Sequence, residues 1–240
     1  MQANDLPPMP ALWRAVPRAR VLVFAPHPDD EVCGPGGALA LHRRQGDAVR
    51  VVVATDGTSG DPEGRFDPAR YPQQRRAESR QGLAELGVDD VAFWGFPDSC
   101  VLSEADLERA AAIATAAVRD FQPGLVYLPW RREGHPDHHA LFTVVTRALA
   151  RATFAGLALG YEVWNAMIPD VVVDISPVME QKRRAMLAHH SQLAYTQYDH
   201  SIAGLNAYRS LQHLQGRGYG EAFVVVAGTP PLGFAGPGTA

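Results

Sequence analysis

The chain has 240 residues, of which 46% are hydrophobic and 20% charged, which is the balance of an ordinary globular protein. Its net charge of −4, with no run of Lys and Arg, argues against nucleic acid as a partner. Cys33 and Cys100 are too few for a disulfide framework or a cysteine-rich zinc site. With no apolar leader and no membrane-length segment, the sequence predicts a cytoplasmic protein without a membrane partner.

Strand-like and helix-like segments alternate along the first half of the chain. The proline-rich stretch 1–18 is predicted to wrap over the surface. Apolar β-branched runs then predict strands at 21–24, 49–53, 91–93 and 125–128, and helical spacing predicts helices at 37–44, at 72–86, from 103 onwards and after 137. This alternation predicts an α/β fold, Rossmann-like and doubly wound, whose mostly parallel sheet carries helices on both faces.

The second half continues with predicted strands at 157–164, 171–175 and 222–227 and predicted helices at 179–190 and 202–215. No internal repeat or linker is visible, so we expect a single catalytic domain over 1–240 with a core at about 20–227 and a loose Gly- and Pro-rich tail. The polar loop 55–71 is too long for a plain connector, which indicates a lid or binding loop.

The first predicted strand ends in a cluster of acids. The segment VLVFAPHPDDEVCG, residues 21–34, passes from apolar residues to His27 and then to Asp29, Asp30 and Glu31. Two carboxylates about 4 Å apart in a partly buried place repel by roughly 4 kcal/mol, a cost that a bound cation offsets.

The tripeptide His-Pro-Asp occurs again after the fourth predicted strand, at His135–Asp137. Proline disfavours the helical conformation in the residue before it, so His27 and His135 should both be extended. Asp137 then stands where a helix N-cap would lie, which places His138 in the first turn.

In a doubly wound sheet of order 3-2-1-4-5, the loops after strands 1 and 4 diverge around the crevice where such folds bind ligands. One candidate metal-ligand set there is His27, Asp30 and His138. Three protein ligands and an open fourth position are the arrangement of a catalytic zinc. Asp29 is then free to act as general base on the metal-bound water.

His135 could bind an oxyanion or protonate a leaving amine, and Asp137 could hold its ring and favour the imidazolium. Each motif also has a structural interpretation, because a lone His-Pro-Asp often marks a turn and Asp137 could only cap its helix. The coincidence of two such clusters at one sheet edge favours the metal site. The remaining histidines are interpreted as surface or core residues: His42, His139, His189, His190, His200 and His213.

HPDDE after the first strand and HPDH after the fourth resemble the PIG-L/LmbE-like family of zinc-dependent N-acetylglucosaminyl de-N-acetylases. VVVATDGTSG, RRAESRQGLAELGV, GFPDS, YEVW, VVVDIS, AHHSQ and GYGEAF also resemble family segments, so the resemblance covers about 20–227. It implies an LmbE-like fold, zinc held by His27, Asp30 and His138, Asp29 as base, and His135 oriented by Asp137 to stabilise the intermediate and assist departure of the amine.

The resemblance also implies that Arg75 and Asp98 meet the sugar or its substituent. The structural alternatives are an exposed Arg75–Glu78 pair and a turn aspartate. Some relatives place a catalytic tyrosine shortly before the histidine matching His135, but this chain has Trp130 and the residues 131–133 there, so that role is unassigned.

The expected reaction is therefore metal-dependent removal of an acetyl group from an N-acetylglucosamine-type sugar or its conjugate, a small-molecule substrate, with zinc, Fe²⁺ or another divalent ion as cofactor. The resemblance also makes a homo-oligomer plausible. A non-haem iron(II) enzyme uses the same ligand types, and a non-catalytic metal-binding subunit would also fit the site. A nucleotide-binding module is disfavoured because no GxGxxG follows the first strand.

Overall fold

The computed structural model describes residues 9–100 and 102–231, which form an eight-stranded sheet with helices on both faces. Strands β1–β8 are Ala11–Trp13, Val21–Ala25, Val49–Thr55, Asp90–Phe96, Leu125–Pro129, Leu157–Tyr161, Val171–Asp174 and Gly220–Ala227. Helices α1–α8 are Asp30–Cys33, Gly36–Arg44, Tyr71–Glu85, Glu104–Phe121, Pro136–Arg151, Met179–Leu187, His190–Leu193 and Tyr198–Arg209.

The sheet order is β1-β7-β8-β6-β5-β2-β3-β4, and β8 is antiparallel to both of its neighbours while the other pairs are parallel. In the numbering of the predicted strands, the segment β4-β3-β2-β5-β6 is the order 3-2-1-4-5. The predicted mostly parallel, doubly wound α/β sheet is therefore confirmed. The single-domain assignment of 1–240 stays a prediction.

The two hydrophobic cores lie on opposite faces of the sheet. Because side chains alternate along a strand, Val21 and Val23 of β2 pack into one core and Leu22 and Phe24 into the other. Helices α2, α3 and α6 cover the first face, and α4 and α5 cover the second. The β2 strand is thus buried on both sides, as expected for the centre of a parallel sheet.

The expectation that residues 1–18 wrap over the surface is wrong for part of that segment. Ala11–Trp13 forms the edge strand β1, which pairs in parallel with β7, and the Trp13 side chain is fully buried. Burial of the large indole ring offsets the poor strand propensity of the surrounding prolines. Residues 1–8 and most of the Gly- and Pro-rich tail, 232–240, lie outside the described residues.

The predicted helix starts and ends are close to those observed, with two exceptions. Predicted helix 179–190 breaks after Leu187, and predicted helix 202–215 is instead Tyr198–Arg209. Ser103 and Asp106 form the capping box expected at the start of α4. None of the helices in 9–100 and 102–231 has the length and apolarity needed to cross a bilayer.

A buried ion pair fixes the turn that follows the first acid cluster. Lys182 Nζ lies 2.6 Å from Glu221 Oε1 and donates to the carbonyls of Cys33 and Gly34 at 2.8 and 3.0 Å. Glu221 in turn accepts hydrogen bonds from the backbone at the start of α2. The β2–α2 connection is therefore tied to β8 across the sheet, and it holds the side chains at the carboxyl end of β2 in place.

Candidate metal centre

His27, Asp30 and His138 come together at the carboxyl ends of β2 and β5, which are adjacent parallel strands. Asp30 Oδ2 lies 3.0 Å from His27 Nδ1 and 3.1 Å from His138 Nε2. Asp30 and His138 are buried, and the His27 side chain is 11% exposed. Two imidazoles and one carboxylate thus share a common point, although His138 is more than a hundred positions from the other two in the chain.

The His138 ring fits a metal ligand better than a hydrogen-bonded core histidine. Both ring nitrogens are buried, and neither has a hydrogen-bond partner of acceptable geometry among the described residues, in spite of the nearby Asp30 oxygen. Buried polar atoms are normally satisfied, so an unpartnered one needs an explanation. A cation between His138 Nε2 and Asp30 would satisfy both, and nitrogen with carboxylate oxygen is a donor set that zinc and iron(II) accept.

The other nitrogen of His27 contacts two further carboxylates. His27 Nε2 lies 3.1 Å from Asp137 Oδ2 and 3.3 Å from Asp98 Oδ1. A histidine that binds a metal through one nitrogen commonly donates its other N–H to a carboxylate, which fixes the tautomer. Metal-competent donor atoms within 4.8 Å of one another occur in two overlapping groups: His27, His135 and His138, and His27, Asp98, His135 and Asp137.

The contacts of Asp137 differ from those expected. Its carboxylate accepts from Ser99 N–H at 2.8 Å and contacts His27, whereas the His135 ring is held by the Asp137 backbone N–H, which donates to Nδ1 at 3.2 Å. His135, and not Asp137, is the N-cap of α5, and His138 lies in the first turn as expected. A carboxylate that holds the His135 ring as an imidazolium is therefore not observed.

The electrostatics of His135 agree with a neutral ring. Burial and the positive charges of His27 and His138 lower the pKa of His135. Since Nδ1 accepts from the backbone, the ring proton lies on Nε2 in this tautomer. His135 is thus a neutral hydrogen-bond donor at the edge of the site.

We refer to His27, Asp30 and His138 together as the metal-competent cluster. Asp29 lines the same cavity as His27 and Asp30 and is bound by Arg75. Arg75 Nη2 lies 3.1 Å from Asp29 Oδ2, and the guanidinium also donates to the carbonyls of Pro28 and Gly57 at 2.9 and 2.8 Å. Burial raises the pKa of Asp29 to about 6, against the opposing effect of the Arg75 charge. A carboxyl group with a pKa near neutrality is suited to accept and release a proton.

Arg75 is a buried residue, so the alternative of an exposed Arg75–Glu78 pair is wrong. Its side chain is 2% exposed, and Glu78 instead accepts from Ser191 on α7. Gly57 has a left-handed backbone (φ 69°), and a Cβ atom there would lie 2.9 Å from Arg75 Nη1. The glycine in the 55–71 loop therefore lets the backbone approach the guanidinium closely.

Asp98 joins the 55–71 loop to the metal-competent cluster. Its Oδ2 atom accepts from Ser59 N–H at 2.9 Å, and its Oδ1 atom accepts from Ser99 Oγ at 3.0 Å. The side chain also lines the cavity beside His27. Asp98 therefore lies in the site and is more than the turn aspartate of the structural alternative, and its contact with the sugar stays a prediction.

The surroundings give His27 and Asp30 opposite charges. Burial opposes the charged form of His27, but hydrogen bonds with Asp137, Asp30 and Asp98 raise its pKa well above the usual value. Burial also opposes ionisation of Asp30, yet the charge of His138 and the hydrogen bond and charge of His27 lower its pKa. The site holds Asp30 as a carboxylate, which is the form that binds a metal ion.

A cavity of about 290 Å³ opens onto this cluster. Besides the expected residues, its lining includes side chains that the sequence did not single out as ligand contacts: Cys33, Ser99, Val163, Trp164, Gln192, Tyr195, Thr196 and Tyr198. Ser59, Gly60 and Pro62 of the 55–71 loop also line it, as a binding loop would.

Glu133 is a further residue that sequence reasoning missed. Its buried carboxylate accepts from Trp130 Nε1 at 2.9 Å and from the backbone of Val163 and Trp164 at 2.8 and 3.0 Å. It also lies 3.5 Å from His138 Nδ1. Glu133 thus connects the metal-competent cluster to a wall of the cavity.

Comparison with known proteins identifies relatives with named activities. The family described as PIG-L: GlcNAc-PI de-N-acetylase matches residues 22–149. A 1D-myo-inositol 2-acetamido-2-deoxy-alpha-D-glucopyranoside deacetylase from Mycobacterium sp. (strain KMS) is 31% identical, and the match covers 81% of this chain and 80% of that protein. The diacetylchitobiose deacetylase of Thermococcus kodakarensis is 30% identical, covering 72% and 70%.

Solved structures share the fold. A conserved protein from Thermus thermophilus is similar with a TM-score of 0.72 and 26% identity, covering 89% of this chain and 97% of that one. GalB, the 4-carboxy-2-hydroxymuconate hydratase of Pseudomonas putida, has a TM-score of 0.72 and 24% identity over 90% and 99%. Because that similar fold carries a hydratase, the fold alone does not define the reaction. The family match over 22–149, more than half of the chain, shows that the protein belongs to the PIG-L family of de-N-acetylases.

Proposed function

We propose that this protein is a metal-dependent hydrolase that removes the acetyl group from an N-acetylglucosamine-type sugar or its conjugate and releases the free amine and acetate. The observation that carries the proposal is the position of Asp29. This carboxylate borders the same cavity as His27 and Asp30 but is bound by Arg75, so it is left over once those two residues and His138 hold a metal. The deacetylases among the relatives support the same reaction.

We further propose zinc as the metal and His27, Asp30 and His138 as its ligands, with iron(II) as the alternative ion. When bound there, a divalent ion would polarise the amide carbonyl and make a water molecule more acidic. A cytoplasmic location and self-association remain predictions from the sequence.

Asp29 is the proposed general base. Its carboxylate takes a proton from the attacking water and returns it to the amine nitrogen as the C–N bond breaks. Its pKa of about 6 leaves it largely ionised at neutral pH. The Arg75 guanidinium holds the Asp29 carboxylate in place, because two of its nitrogens are also anchored on backbone carbonyls. Arg75 therefore positions the base, and its contact with substrate stays a prediction.

His135 is the proposed donor to the carbonyl oxygen as negative charge develops on it. With Nδ1 occupied by the Asp137 N–H, His135 Nε2 carries the ring proton and can donate it as a hydrogen bond. Asp137 and Asp98 hold the His27 ring from the opposite side and so fix its orientation. The polar 55–71 loop is the proposed source of part of the substrate specificity.

The proposal is tested by stripping the protein with a chelator, restoring one equivalent of zinc, and measuring amine and acetate from N-acetylglucosamine and its glycosides. We expect equal amounts of both products, loss of activity on stripping and recovery with zinc. Intact metal binding with no acetate from any substrate would instead identify a non-catalytic metal-binding protein. Consumption of oxygen would identify an iron(II) oxygenase.

A further inference from the structure

Trp164 stands between two cavities. Its side chain lines the inner cavity that contains His27 and Asp29, and it also lines an outer cleft of about 710 Å³. Although it is a tryptophan, Trp164 is 51% exposed, and its ring packs against Tyr198 with the centroids 6.1 Å apart. Trp164 is therefore a wall that the inner cavity and the outer cleft share.

The inner cavity is small for a sugar conjugate. Its volume of about 290 Å³ lies just below the range of roughly 300–1,000 Å³ that ligand pockets occupy. One sugar ring with its acetamido group suits such a space. The group attached to the sugar must then lie outside it, and the outer cleft is the neighbouring space because it shares Trp164 with the inner cavity.

The chemistry of the outer cleft favours an anion. Its lining is Trp130, Arg132, Trp164, Asn165, Ala166 and Ile168, which provides one guanidinium and no carboxylate. Arginine binds carboxylates and phosphates through paired N–H donors. The two indole rings and the exposed Ile168 supply apolar surface beside that charge.

The cleft is held in shape from beneath by Glu133. The buried carboxylate binds both the Trp130 ring nitrogen and the backbone of residues 163–164, and both Trp130 and Trp164 line the cleft. Asn165 Nδ2 also donates to the backbone carbonyl of Arg132 at 2.9 Å. None of these contacts involves the side chain of Arg132, which is an exposed residue. The cleft is therefore preorganised around a guanidinium that faces solvent.

We propose that the outer cleft is a specificity subsite, in which Arg132 binds a negatively charged group on the aglycone of the amino sugar while Trp130 and Trp164 contact its apolar part; this rests on the proposed function for the inner cavity. The subsite selects an acidic conjugate over a neutral one of the same size. Carboxylate and phosphate share the required chemistry, so substrates of both kinds belong in the test.

The test compares the carboxymethyl and carbamoylmethyl glycosides of N-acetylglucosamine, in both anomers, which differ in charge but hardly in shape. A phosphate-bearing glycoside is added as the second anion. We expect kcat/KM at low salt to be about ten-fold higher for the charged glycosides, with the preference falling as salt rises. Arg132→Gln should abolish the preference and leave hydrolysis of the methyl glycoside unchanged, whereas Arg131→Gln, an exposed neighbour outside the cleft lining, should retain it.

Binding of the deacetylated amines of the same glycosides to the unaltered protein, measured by calorimetry, separates this proposal from the proposed function. A charge preference in binding that Arg132→Gln removes supports the subsite, even if no glycoside is hydrolysed. Hydrolysis or binding without any preference between the charged and neutral compounds would overturn the subsite. In the case of hydrolysis, the proposed function of the inner cavity would still stand.

Discussion

His138 Nε2 lies 3.1 Å from Asp30 Oδ2, yet the two atoms do not form a hydrogen bond. The opposite ring nitrogen of His138 lies 3.5 Å from the Glu133 carboxylate. The His138 ring thus lies between two carboxylates. The orientation of its Nε2 atom does not suit a direct hydrogen bond to Asp30. A metal ion on the Asp30 side and an N–H directed at Glu133 account for both contacts.

Replacement of His138 should remove the metal. We expect His138→Ala to lower zinc affinity by more than about 100-fold, beyond the loss typical of a residue that only supports a ligand. Metal content after dialysis against a competing chelator measures this. The exposed neighbour His139 supplies the control, and His139→Ala should keep one zinc per chain. Equal zinc retention by both variants would rule out His138 as a ligand.

Asp29→Asn should separate chemistry from metal binding. The amide keeps the shape but cannot accept the proton, so turnover should fall by about 10²–10⁴-fold while zinc content is unchanged. Initial rates of acetate release and metal analysis on the same preparation test this. Asp89→Asn, at an exposed aspartate, is the control and should retain full turnover. Near-normal turnover of Asp29→Asn would show that another group is the base.

Glu133→Gln should weaken metal binding and disturb the cavity wall together. The amide places an N–H donor where the carboxylate accepts several hydrogen bonds, so we expect zinc affinity to fall by about 10–100-fold. Because the Trp130 ring and the Trp164 backbone both donate hydrogen bonds to Glu133, tryptophan fluorescence should also change. Glu180→Gln, at an exposed position on α6, should affect neither. A change in fluorescence without a change in zinc affinity would limit Glu133 to a structural role.

The positions of the clusters could be predicted because they depend on chain order. Each histidine-acid cluster follows a strand, and the βαβ connections of a doubly wound sheet place those two strands side by side. The sequence therefore predicted that both clusters border one crevice. The partners of Asp137 could not be predicted in this way. Its carboxylate binds Ser99 and His27, and that choice depends on the path of the loop after β4, which no local pattern specifies.

Three other features depend on long-range packing. The edge strand that contains Trp13 is only three residues long and lies among prolines, so its burial against β7 leaves no periodic signal. Alternating segments indicate parallel neighbours, whereas the antiparallel β8 inserts between β6 and β7 without a distinct signal. The sequence does not indicate the function of Glu133, because the hydrogen-bond donors that it binds are mostly backbone N–H groups of a distant loop.

His189 should make the protein less stable in acid. Burial, with a further effect of the Arg75 charge, lowers the pKa of His189 to about 3, while an unfolded histidine has a pKa near 6.5. Below pH 6.5, His189 therefore binds a proton in the unfolded chain but not in the folded chain. The free energy of unfolding consequently falls as the pH falls. This single residue should reduce the free energy of unfolding by about 1 kcal/mol between pH 6.5 and 5.5.

Urea unfolding of the chelator-treated protein at several pH values measures this effect without a contribution from metal release. His189→Gln removes the titrating group and should show the shallower dependence on pH, with the difference from the unaltered protein growing below pH 6.5. His190→Gln, at the exposed neighbouring position, should follow the unaltered protein. The same slope in His189→Gln would mean that folding does not change the pKa of His189.

The location of zinc in a crystal of the protein grown with one equivalent of the metal tests the central claim most directly. Anomalous scattering recorded at the zinc edge should show one strong peak about 2.0–2.2 Å from a ring nitrogen of His27, a ring nitrogen of His138 and a carboxylate oxygen of Asp30, with Asp29 outside that coordination sphere. A peak that instead lies between His27, Asp98 and Asp137, or away from both groups, would contradict the proposed ligand set and the assignment of Asp29 that follows from it.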